Sequence, residues 1–298
     1  MIPFTNKTSL NPSFAGFNEN TTVWAGYQHY IINKKEAFNQ FSLSYDTYLP
    51  AIDGGILFNF NQGLLGDLNT NTVELGFGFS KHYEMKKGTF IPSASMHFQI
   101  AGKQWYVHWI DMMLDKRYAP SSPPGADFAR FFRLKPHAGF LWDSPFFRAG
   151  FSAIFPFGGY LTEEENSKKL NEPVFIMHLS HLSGSRRKGL VSKPFRTRPQ
   201  LILLYSQNTL ISKAEIHFEE VYYTYSVFAQ NNFTENLHGI GGSFGWKINH
   251  LRISLSAGIG LPVISDESVF FGEASFRLII PSSHYSEENP WSPKQKLF

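Results

Sequence analysis

The chain has 298 residues, enough for one large domain or two ordinary ones, and only 17% of them are charged, below the roughly 25% of soluble domains. A net charge of +3 with scattered basic residues and no stacking motif excludes a nucleic-acid-binding surface. The absence of cysteine excludes a disulfide framework, a thiolate nucleophile and a Cys-ligated metal.

In chain order, residues 1–11 have no charged n-region followed by an apolar h-region. The expectation is a signal peptide already removed. In the next stretch, Asn11-Pro12-Ser13-Phe14-Ala15-Gly16, Asn-Pro fixes an extended turn and Ala-Gly permits close backbone approach. This motif is expected to pack a segment at 1–20 against the barrel mouth as a structural element.

From residue 21 onward the signal is period-two alternation. Val73, Leu75, Phe77 and Phe79 alternate with Glu74, Gly76, Gly78 and Ser80. Phe147, Ala149, Phe151, Ala153 and Phe155 alternate with Arg148, Gly150 and Ser152. Leu251, Ile253, Leu255, Ala257, Ile259 and Leu261 alternate with Arg252, Ser254, Ser256, Gly258 and Gly260, and 270–280 repeats the pattern. A water-soluble β-sandwich would carry Lys, Glu and Thr on its polar face. Here that face is mostly Gly and Ser with single charges, which fits a barrel whose outer face meets lipid. No apolar run approaches the ~20 residues of a membrane helix.

Fourteen strands are expected, near 21–30, 38–49, 54–62, 72–83, 90–104, 131–143, 146–157, 173–183, 194–207, 210–219, 221–230, 237–248, 250–262 and 269–280. The fold class is thus all-β: a transmembrane antiparallel up-and-down barrel over 21–280, with a periplasmic segment at 1–20 and a proline-rich periplasmic tail at 281–298. With the N-terminus periplasmic, turns near 50–53, 84–88, 143–145, 220 and 249 are short. Connections at 31–36, 62–71, 105–130, 158–172, 231–236 and 262–268 are longer and extracellular. Two connections break the rule: a short one at 208–209 and a long one at 184–193. The latter holds Arg186, Arg187 and Lys188, either a solvated turn or a docking point for an acidic partner. The loop at 105–130 contains Trp105, His108, Trp109, Met112 and Met113 before a Ser-Ser-Pro-Pro-Gly stretch. So apolar a loop either folds into the lumen or forms a partner surface. Aromatic residues such as Trp24, Tyr27, Tyr45, Tyr83, Trp142, Tyr223 and Trp246 lie near strand ends, where interfacial girdles form.

Chemical motifs are weak. His178 and His181 stand three apart on a strand and point to opposite faces, so they cannot share a metal. Gly241, Ser243 and Gly245 match Gly-x-Ser-x-Gly and sit in a Gly-rich stretch, but no helix follows, as both a nucleophile elbow and a phosphate loop require. No enzyme, cofactor or metal is expected. Glu74, Lys135, Arg148, Lys213, Glu215, Glu219, Lys247, Arg252, Glu273 and Arg277 are expected to face the lumen, bracing the wall or holding a guest segment. A lumen of this size must contain water, a plug or a partner peptide.

The Asn11–Gly16 element resembles the Asn-Pro-Ala-Tyr-Ala-Gly sequence near the mature N-terminus of the PorP/SprF family of the Bacteroidota type IX secretion and gliding machinery. Ser13 and Phe14 depart from it. Residues 134–140 followed by 147–154 resemble that family's mid-barrel hairpin. The signature is Asn11, Pro12, Ala15 and Gly16. The resemblance implies a non-catalytic outer-membrane barrel that anchors or helps export secreted surface proteins through their C-terminal domain. Its expected partners are outer-membrane lipid, a secreted protein carrying a type IX C-terminal domain, and secretion or gliding components. Trp105, His108, Trp109, Met112, Met113, Arg186 and Arg187 are the candidate contact residues. The alternative is a porin or a hydrophobic-solute transport barrel.

Overall fold

Alternation of small inner and large outer side chains produces, in the computed structural model, one closed antiparallel sheet. The structure describes residues 6–32, 35–65, 70–103, 131–160, 172–181, 183–185, 195–206, 209–234, 237–262 and 269–281. The first half of the barrel contains β1 (Thr21–Ile32), β2 (Lys35–Leu49), β3 (Gly54–Leu65), β4 (Thr70–Lys81 and Tyr83–Met85), β5 (Gly88–Lys103), β6 (Phe131–Asp143) and β7 (Phe147–Ile154 and Phe157–Tyr160). The second half contains β8 (Val174–His181 and Ser183–Ser185), β9 (Phe195–Ser206), β10 (Thr209–Glu219), β11 (Tyr223–Asn232), β12 (Leu237–Ile248), β13 (Leu251–Pro262) and β14 (Val269–Ile280). Each strand pairs with the next, and β14 returns to β1 from Thr21↔Ile280 to Ile32↔Val269. Closure removes the exposed edges that an open sheet would present. Among the described residues, no helix is long and apolar enough to cross a membrane.

Among the described residues, two strands are interrupted without changing register, and each gap lies at or beside a proline of its own or the facing strand. Ser80↔Ser93 and Tyr83↔Phe90 lie on one register, which places Pro92 opposite Lys81, beside the gap in β4 at His82. His137↔Ile154 and Leu134↔Phe157 flank the gap in β7, which falls at Pro136 and Pro156. A proline has no N–H to donate, so each ladder loses a rung while the side-chain alternation continues.

The alternation sorts residues as expected. Phe77, Phe79, Val227, Ile240 and Leu255 are exposed on the outside, whereas Ser80, Ser152, Glu215, Glu219 and Glu273 are buried within. Trp24 is the exception among the girdle candidates: it is buried on the inner face, its ring lying over Gly26, where a Cβ would come within 2.4 Å of it. Strands also run further than the sequence indicates at one end. The connection expected at 31–36 narrows to 33–34, that at 62–71 narrows to 66–69, and β7 continues to Tyr160. There the backbone ladder extends through polar residues such as Lys35 and Glu36, which fall in the connection expected at 31–36.

Candidate functional site

The lumen is occupied by the chain's own N-terminal segment. A helical turn at Lys7–Leu10 and a 3-10 turn at Pro12–Phe14 lie against the inward faces of β2–β8, near the end with the short turns. Asn11 organises this segment. Its Oδ1 accepts from the Ser13 N–H at 2.9 Å, while Pro12 supplies the fixed φ of the turn. Its Nδ2 donates to the carbonyls of Phe140 at 3.0 Å and Phe151 at 3.3 Å, one on β6 and one on β7. Such an approach requires a bare wall: a Cβ on Gly139 would lie 2.5 Å from Asn11 Oδ1.

The rest of the motif is held the same way. Ser152 Oγ donates to the Leu10 carbonyl and Ser80 Oγ to the Ala15 carbonyl, both at 2.7 Å. Ser13 and Ser93 share a hydrogen bond of 2.7 Å between their hydroxyls, and the Gly16 N–H donates to Asp46 Oδ1 at 3.1 Å. Phe14 packs on Ile91 and Leu141, and Leu10 packs on Ile176 and Ile202. Asn11, Pro12, Ser13 and Ala15 are all buried. The motif expected at the mouth therefore sits on the inner wall, with every one of its six residues in contact with strands or completing the turn. Its hydrogen-bond partners lie on five strands, β2 and β4–β7, and are small polar side chains and backbone carbonyls that any lumen-facing surface would carry.

The inward charges form local groups. Arg148 pairs with Asp143 at 2.9 Å and lies over the Phe17 ring at 4.3 Å, tying the wall to the segment. Glu219 receives Arg198 at 3.2 Å, Arg252 at 3.3 Å and Lys247. Lys213, fully buried, pairs with Glu215 at 2.9 Å and lies over Phe228. Glu74 is shared by Lys135 and His97, and Gln28 donates to Glu273 at 3.0 Å. Tyr30, Phe38, Phe228 and Phe271 fill another part of the lumen with aromatic rings. Lys7 lies deep in the lumen. Burial first, and then repulsion from Arg148, Arg198 and Arg277, holds its ammonium well below the ordinary lysine value.

Trp105, His108, Trp109, Met112, Met113, Arg186 and Arg187 lie outside the described residues, as does 282–298. His178 faces inward beside Phe14, whereas His181 is exposed. Gly241, Ser243 and Gly245 sit within the uninterrupted β12, and Ser243 Oγ meets Ser226 Oγ at 2.7 Å. A Cβ on Gly241 would lie 2.4 Å from the Phe228 ring, so this glycine accommodates a neighbouring aromatic.

The fold is shared with solved outer-membrane barrels. The CymD monoaromatic hydrocarbon channel aligns at a TM-score of 0.56 and 10% identity, over 94% of this chain and 93% of that one. The TodX deltaS2S3 mutant monoaromatic hydrocarbon channel aligns at 0.50 and 11% identity, over 94% and 95%. Among curated proteins, none matches this chain. The model of the type IX secretion system membrane protein family PorP/SprF matches residues 4–276, from the lumenal segment into β14. The chain belongs to the PorP/SprF family of type IX secretion system membrane proteins.

Proposed function

We propose that this barrel is a non-catalytic holder that retains a secreted protein at the cell surface by gripping that protein's C-terminal domain. The observation that carries the reading is the seated N-terminal segment: a lumen occupied by the chain's own residues, hydrogen-bonded to five strands, suits a fixed anchor better than a solute path. Family membership supports the same direction, since the family is one of secretion membrane proteins. In this reading the short-turn end and the tail at 281–298 face the periplasm and the secretion machinery, and the molecule resides in the outer membrane. The loop with Trp105, His108, Trp109, Met112 and Met113 grips the cargo outside. Arg186 and Arg187 meet an acidic partner at the opposite end.

A solute channel is the rival, and the two aligned barrels are monoaromatic hydrocarbon channels. At 10–11% identity they speak to architecture alone. Native capture from mild detergent, followed by mass spectrometry, separates the readings. Co-recovery of large secreted proteins sharing one C-terminal domain, or of type IX components, is the expected result. A chain recovered alone that conducts ions steadily in a planar bilayer contradicts it.

A further inference from the structure

A cavity of about 140 Å³ lies between the N-terminal segment and the wall. Five cations border it: Lys7 from the segment, Arg148 on β7, Arg198 on β9, Arg252 on β13 and Arg277 on β14. The bordering carboxylates are Asp46 and Glu215, and Glu215 already pairs with Lys213 at 2.9 Å. Arg148 has Asp143, while the single carboxylate of Glu219 serves Arg198, Arg252 and Lys247. Among the described residues that border the cavity, cations outnumber carboxylates five to two.

The wall arginines come from strands spanning about half of the barrel's circumference, so they approach Lys7 from different sides. Hydroxyl groups of Thr22, Ser44, Ser254 and Ser275 line the same space and add neutral donors. Positive charge concentrated in a partly enclosed, poorly solvated chamber is costly unless an anion neutralises it. Burial first, and then repulsion from Arg148, Arg198 and Arg277, lowers the affinity of Lys7 for its proton.

We propose that this chamber binds a small multivalent oxyanion of the phosphate or sulfate class, which links Lys7 of the lumenal segment to Arg252 and Arg277 of the wall. The sheet separates the chamber from the lipid, so the ligand is a free ion and not a headgroup. Arginine and lysine donors around an oxyanion give short, charge-assisted hydrogen bonds from several directions. The site therefore couples occupancy by the anion to retention of the plug.

The test is calorimetric titration of inorganic phosphate into the full chain in detergent, at ionic strength held constant with sodium chloride. Lys7→Gln and Arg277→Gln are titrated alongside. Lys7 lies outside the barrel wall, so its variant leaves the strands intact, and both variants are checked for heat-dependent gel mobility. One saturable site is expected, weakened at least tenfold in each variant, with phosphate raising the unfolding temperature of the parent chain. Absence of saturable heat overturns the proposal, as does an affinity unchanged in both variants. Neither result depends on which secreted protein the barrel holds.

Discussion

Gly16 has a φ of +61°, and a Cβ there would lie 2.7 Å from the Cα of Gly55 and 3.0 Å from that of Tyr48. Backbone atoms cannot move aside as a side-chain tip can, and an L-residue is strained in this region of φ. Gly16→Ala is therefore expected to weaken seating of the segment by about 1–3 kcal/mol without unfolding the barrel. Limited proteolysis reads this directly: cleavage within 6–17 accelerates about tenfold or more, since ~1.4 kcal/mol is a factor of ten in the opening equilibrium. Unchanged cleavage would mean that the wall does not constrain Gly16. The conformational demand at Ala15-Gly16 was legible in the sequence, because that pair allows close backbone approach. The partners were not. Asp46, Ser80, Ser93, Gly139 and Ser152 are 30 to 142 residues away from the atoms they meet or approach, and each is an ordinary small or polar lumen residue.

Strands were the most legible elements. Their side chains alternate with a period fixed by backbone geometry, and a lipid-facing outside leaves a sharper apolar signal than a solvated one. Their ends were less so, because above and below the apolar belt the ladder persists through polar residues while the hydropathy contrast fades. That difference between centre and end has an energetic consequence. Leu255 points outward near the middle of β13, and Ile248 points outward at the last position of β12. Leu255→Arg is expected to destabilise the barrel in lipid vesicles by about 2–4 kcal/mol, and Ile248→Arg by about 0–1 kcal/mol. Denaturant unfolding followed by tryptophan fluorescence measures both. Equal losses would contradict the depth assigned to these strands. The two ladder gaps, each at or beside a proline, show the converse: a feature visible in the sequence as a residue type whose effect on hydrogen bonding leaves the outline of the strand unaltered.

At the scale of the molecule, membership in the PorP/SprF family and the closed fourteen-strand sheet were both accessible from sequence, one through a six-residue motif and the other through repetition. What repetition could not convey was the content of the lumen, since a plug, water and a guest peptide all demand small polar walls. The structure fills that space with the signature segment itself, which makes the motif a part of the barrel's interior and gives the anchor reading its physical basis. The chain has no cysteine, so a pair introduced at Ser13 and Ser93, whose hydroxyls are 2.7 Å apart, can form only one disulfide. Oxidation of Ser13→Cys/Ser93→Cys in native outer membranes is expected to give a faster-migrating, reductant-reversible species on denaturing gels. Two thiols that stay free and open to maleimide labelling under the same oxidation would contradict a lumen occupied by its own N-terminal segment.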